Sequence, residues 1–147
     1  MSQDELDDLV GRGAIERVAA DPETAEMELD QARKHVESAT EIAENDPVGA
    51  FAIGYDAIRK SISAHMRARG YRVTRGKGHH ARTGAYALAA LDASKIEEHI
   101  EAFDDLRQLR NQSEYDAVTL DSADVADALA RARAIIAAIE GDIVRPS

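Results

Sequence analysis

At 147 residues, 44% apolar and 31% charged, the chain has the size and make-up of one soluble globular domain, which excludes wholesale disorder. The absence of cysteine excludes a disulfide framework, thiolate zinc sites and a cysteine nucleophile. No apolar run approaches the roughly 18 residues of a membrane span, and the acidic opening is unlike a signal peptide, so the expected compartment is the cytoplasm, with no membrane partner.

Six aromatics and three prolines stand against abundant Ala, Glu, Asp and Arg. Strand formers are too sparse for several strands, whereas Ala and Arg favour helix. The expected fold class is all-α, an up-and-down bundle of four to five main helices. It forms a single domain over residues 1–147, with 1–20 as a short N-terminal helical extension.

In chain order, the first twenty residues read as one or two short helices broken by Gly11 and Gly13. Asp21-Pro22 is a cap-and-proline start. The helix after it carries Ala25, Leu29, Ala32, Val36, Ala39 and Ala43 at alternating spacings of four and three, one apolar stripe ending near Asn45. Asp46-Pro47 repeats the start signal at once, which predicts an antiparallel helical hairpin. The second long helix buries Phe51, Tyr55, Ile58 and Ile62, and Gly70 is its natural stop.

A basic loop rich in glycine, Tyr71 to Gly78, follows, then a short Ala-rich helix from about His80 to Leu91. A fourth helix from near Ser94 turns Ile96, Ile100, Phe103 and Leu106 inward. Asp121-Ser122 caps a last helix carrying Val125, Leu129, Ala132, Ile136, Ile139 and Ile143. No internal repeat, linker or low-complexity tract interrupts this order.

Charge is unevenly placed. The net charge is −10, yet Ala57 to Leu91 contains no acid and eight cations: Arg59, Lys60, Arg67, Arg69, Arg72, Arg75, Lys77 and Arg82. The rest of the chain has ten Lys and Arg against twenty-eight Asp and Glu, a net −18. Such a segment creates a local positive field suited to phosphate, or it pairs with the acidic helices around it.

The segment Leu106 to Asp116 carries the strongest chemical signal. At about 100° per residue, Arg110 falls about 20° from Phe103 and Glu114 falls in line with Ile96. Two charges therefore stand where the pattern wants apolar side chains, and burying a charge without a partner is costly. Either Arg110 and Glu114 pair at i, i+4 to seal the core, or the stripe faces a cleft where Arg110 holds an anion. Asn111 and Tyr115 flank the same place.

Arg110-Asn111, three residues and an aromatic resemble the Arg-x4–6-His signature of the HEPN superfamily, whose motif commonly opens Arg-Asn on a late helix of an all-α bundle. The order of long hairpin, basic loop, motif helix and closing helix is similar too. The resemblance implies a homodimer in which two motifs meet at a cleft for RNA. Many members are metal-independent ribonucleases of toxin–antitoxin or defence systems, and others are non-catalytic binding domains. It further implies that Arg110 steadies a phosphate, with Asn111 beside it.

Tyr115 stands where the family's histidine is expected. With a pKa of about 10, tyrosine is a poor proton acceptor at neutral pH, though it can donate to phosphate or stack on a base. Binding of RNA or a nucleotide phosphate therefore carries over more readily than cleavage.

His79 and His80, after Gly76-Lys77-Gly78, offer a replacement proton acceptor at a helix start, or else a solvated loop. His80 is the catalytic candidate of the two; Arg72, Arg75, Lys77, His79 and Arg82 would form the electrostatic approach to nucleic acid. Gly-x-Gly with one lysine completes neither a P-loop nor a dinucleotide fingerprint. No histidine has Glu three residues before it, so a di-metal bundle is not indicated, and neither a metal nor a cofactor is expected. His65 reads as a core-edge histidine, and Asp104 and Asp105 as part of a solvated face. The rival function is a non-enzymatic protein-interaction bundle, an antitoxin-like partner or dimeric scaffold, in which the basic segment docks onto an acidic protein. A cognate antitoxin or nucleotidyltransferase is the expected partner in the toxin reading.

Overall fold

The computed structural model describes residues 3–115 and 120–144, with the side chains of 113–115 and 144 outside that description. Among the described residues the regular elements are seven helices and two three-residue strands: α1 (Gln3–Gly11), β1 (Ile15–Arg17), α2 (Pro22–Ile42), α3 (Pro47–Arg69), β2 (Tyr71–Val73), α4 (His79–Ala90), α5 (Ala93–Glu101), α6 (Phe103–Tyr115) and α7 (Ser122–Val144).

Both cap-and-proline starts form as the sequence predicts. Asp21 accepts from the Thr24 amide at 3.1 Å and Asp46 from the Gly49 amide at 2.9 Å, each satisfying an N–H that the first turn leaves without a partner. At α7, the Asp124 amide donates to Asp121 Oδ1 at 2.9 Å and the Asp121 amide to Asp124 Oδ2 at 3.1 Å, a reciprocal capping box.

α3 is the spine of the fold. α2 packs along it on one side and α7 along another. The α2 stripe is buried from Ala25 through Ala39, and Phe51, Ile58 and Ile62 of α3 meet Ile135 and Ile139 of α7 in one core. Each such large side chain contributes about 1.5–3 kcal/mol through burial. Gly54 permits the close approach of α7, since a Cβ there would lie 3.1 Å from Leu129 Cδ2.

Three expectations are corrected. After Gly11 the chain forms β1 rather than a second short helix, and the basic loop begins as β2. The two pair antiparallel, Ile15 opposite Val73 and Arg17 opposite Tyr71. Ile15, Tyr71 and Val73 turn inward and Arg72 outward, an alternation too short to show as a period in sequence. The predicted fourth helix is two helices with a hitch at Ala102 (φ −72°, ψ −15°). Because Ala102 still donates to Glu98 and accepts from Leu106, the inward face survives the hitch, and Ile96, Ile100, Phe103 and Leu106 are all buried. The all-α bundle is as expected, with seven helices, short ones included, among the described residues.

Gly70 ends α3 in the left-handed region (φ 84°), donating its N–H to Met66 O. A Cβ at this position would lie 2.8 Å from the Val18 carbonyl oxygen, so only glycine fits between α3 and the segment following β1.

Candidate functional site

The hitch at Ala102 sets α6 against α3, and Arg110 points back along that contact. Its Cζ lies 5.5 Å from the centre of the Tyr55 ring, in cation–π range. Tyr55 is an inward residue of α3, 5% exposed, and a buried phenol needs a partner for its hydroxyl. It finds one in His80, whose Nδ1 lies 2.9 Å from the Tyr55 oxygen.

His80 reaches this place because Gly78 (φ 84°) turns the chain directly into α4. Its ring stacks on Phe103, centroids 4.0 Å apart and planes 21° from parallel, and Tyr55 stacks on the same Phe103 at 5.4 Å and 14°. Phe103 is thus a wall holding both rings. His80 Nε2 is buried and has no hydrogen-bond partner among the described residues. The Asp104 carboxylate approaches it, Oδ1 at 3.8 Å, while Arg107 Nη2 sits 3.2 Å from that same oxygen and Gln108 Nε2 donates to Oδ2 at 2.9 Å.

Burial holds the His80 imidazole below the ordinary histidine pKa, helped by the neighbouring Arg107 cation and opposed by Asp104. The ring is therefore neutral at pH 7. Of its two tautomers, the one with the proton on Nε2 and Tyr55 donating to Nδ1 aims the proton at a carboxylate, and electrostatics favours it. Burial also raises the Tyr55 pKa, against the pull of Arg110, Arg59 and Arg107. Three guanidinium groups therefore bear on one hydroxyl, opposed by the Asp56 carboxylate.

The structure brings together two of the residues singled out from sequence, Arg110 and His80, through Tyr55. Asn111 is half-buried beside Arg110 on α6. The side chains of Glu114 and Tyr115 lie outside the described residues, and with them the Arg110–Glu114 and Asn111–Tyr115 pairs.

The basic segment is distributed elsewhere. Arg72 is exposed and ion-paired with Glu16 across the β1–β2 ladder; Arg75 and Lys77 are exposed at the loop tip. His79, adjacent to His80, turns the other way. It lines a groove of about 610 Å³ whose walls include Arg59, Arg67, Arg72, Tyr71 and Asp21. Arg82 directs its guanidinium at the loop itself, donating to the Thr74 carbonyl at 2.9 Å, to Thr74 Oγ1 at 3.0 Å and to the Lys77 carbonyl. Arg59 lies 3.6 Å from Asp56, Arg67 3.4 Å from Glu28 and Arg69 2.8 Å from Asp142. Much of the segment's charge is thus matched by the chain's own acids.

Sequence reasoning placed Tyr55 and Phe103 in the core and Asp104 on a solvated face, and gave Arg107 no role. The available signal was Tyr55: a tyrosine in an apolar stripe carries a hydroxyl that must be met. Among the described residues no group of three or more His, Asp or Glu could hold a metal ion, and no helix is long and apolar enough to cross a membrane.

The fold is a helical bundle whose late helix α6 sets Arg110 over the buried Tyr55 ring. The sequence model of the HEPN domain matches residues 24–142, from the first turn of α2 to the last turn of α7. The chain belongs to the HEPN domain family. Neither the comparison with curated proteins nor that with solved structures gives a match.

Proposed function

We propose that this HEPN domain binds RNA, or the phosphate of a nucleotide, at Arg110, as a cytoplasmic homodimer in which two such sites face a shared cleft. The observation that carries this reading is the position of the Arg110 guanidinium over Tyr55, with Arg107 one turn away on the same helix. Asn111 is the neighbouring hydrogen-bond partner, and Tyr115 donates to the ligand or stacks on a base. Arg75, Lys77 and His79 supply the outer approach; Arg72 and Arg82 contribute less charge there, since each already meets an acid or loop carbonyls. Binding stands ahead of cleavage because tyrosine replaces the family's histidine; a metal-independent endoribonuclease with altered catalysis is the second branch, and there His80, neutral at pH 7, would be the proton carrier. On this reading the chain would serve a toxin–antitoxin or defence system, with a cognate antitoxin or nucleotidyltransferase as partner.

The test is equilibrium binding of single-stranded RNA at rising salt, for the wild type and Arg110→Ala. Steeply salt-dependent binding that Arg110→Ala weakens supports the reading. A flat salt response, with a stoichiometric protein partner co-purifying in place of nucleic acid, favours the protein-interaction bundle.

A further inference from the structure

Arg107 and Arg110 lie one turn apart on α6 and are held differently. Arg110 rests on the Tyr55 ring. Arg107 is tied through Nη2 to Asp104 Oδ1, and its Nε is buried with no hydrogen-bond partner among the described residues. The same Oδ1 faces His80 Nε2, also buried and lacking such a partner. One carboxylate oxygen stands between two donors, within hydrogen-bond reach of one.

We propose that Arg107 is a second phosphate ligand beside Arg110, released when Asp104 passes from Arg107 to a protonated His80, so that phosphate binding takes up a proton. The inference rests on the reading that Arg110 meets a phosphate. The groups facing His80 are the Tyr55 hydroxyl from α3; Phe103, Asp104 and Arg107 from α6; and His79 from its own helix, with Arg110 beyond Tyr55. In the unliganded protein the Arg107 cation and burial disfavour imidazolium. A phosphoryl oxyanion on Arg107 neutralises that cation and leaves Asp104 Oδ1 free to accept from Nε2–H. Both changes favour the protonated ring. Affinity therefore rises as pH falls between the bound-state and free-state pKa values of His80, by at most about tenfold per pH unit. Asp104 side-chain exposure is 56%, so exchanging its partner requires no opening of the core.

The experiment titrates a fluorescein-labelled octauridine RNA, and uridine monophosphate in parallel, into the full chain between pH 5.5 and 8. Wild type is expected to bind about five- to tenfold more tightly at pH 5.5 than at pH 8. His80→Gln flattens this response. Asp104→Asn, which places no fold at risk, binds about two- to fivefold more tightly than wild type at pH 8, the range an exposed ion pair allows, and its pH response is weaker than that of wild type. A response with RNA alone assigns the site to a backbone phosphodiester, and one with both ligands to any phosphoryl group; either sustains the proposal. Weaker or unchanged binding by Asp104→Asn at pH 8, or a pH response retained in His80→Gln, overturns it. If Arg110→Ala binds as well as wild type, the underlying phosphate reading fails and the inference with it; if Arg110→Ala loses binding while the other two variants behave as wild type, the inference alone fails.

Discussion

His65 Nε2 lies 2.5 Å from Asp142 Oδ2, fastening α3 to the last turn of α7 across 77 positions of sequence. Tyr86 completes the arrangement, its hydroxyl 2.7 Å from His65 Nδ1, and Arg69 Nη2 donates to the same Asp142 oxygen at 2.8 Å. His65, read from sequence as a core-edge residue, is fully buried with both nitrogens satisfied.

This cluster makes stability fall on acidification. Burial keeps the His65 pKa below its ordinary value despite Asp142, so the unfolded chain takes up a proton first as pH drops through about 6.5. Although burial pushes Asp142 up, hydrogen bonds from Arg69 and His65 leave its pKa below the usual carboxylate value, and its contribution is lost lower still. Both groups act in one direction. Urea melts at pH 7.5 and 5.5 should show lower stability at pH 5.5, with a smaller difference in His65→Gln. Asp142→Asn should cost about 1.5–3 kcal/mol at pH 7.5, the range for hydrogen bonds to a charged group.

Arg110→Ala should leave the fold intact and weaken RNA binding. If the guanidinium meets a phosphate, the slope of log affinity against log salt should shrink by about one. Arg82→Ala is the contrast: its guanidinium is bound to the Thr74 and Lys77 carbonyls, so the change should loosen the loop, measured as faster amide exchange over residues 74–78.

Tyr115→His places a histidine at the position where the resemblance to the family leads one to expect it. Incubated with mixed RNAs, that variant should cleave where the wild type binds without cleaving. Cleavage by wild type, lost in Arg110→Ala, would instead place the protein on the nuclease branch.

Gly70→Ala forces a Cβ into the left-handed region and onto the Val18 carbonyl oxygen. A loss of about 1–3 kcal/mol is expected, read from the urea midpoint.

The helices were legible because their signals are local: Asp-Pro starts, a glycine stop, and stripes of period 3.6 long enough to count. β1 and β2 were not, because three residues show no period and their pairing joins positions 56 residues apart, as with Glu16 and Arg72. At the site, Arg110 stood out as a charge in an apolar stripe. Its relation to His80 did not, since it runs through Tyr55 and Phe103, residues whose apolar bodies made them look like core and nothing more. Asp104 and Arg107 were hidden for the opposite reason: on a helix surface a charged pair at i, i+3 looks ordinary until a third group is found at the same oxygen.

The β1–β2 ladder lies partly upstream of the matched family region, which begins at residue 24. A fragment trimmed to that region would leave the Tyr71–Val73 backbone without its antiparallel neighbour, uncover Val73, and remove the Val18 amide that donates to the Gly70 carbonyl. An open edge of this kind recruits other chains. Clumping of such a truncated form would reflect the missing first strand and carry no information about assembly of the intact protein.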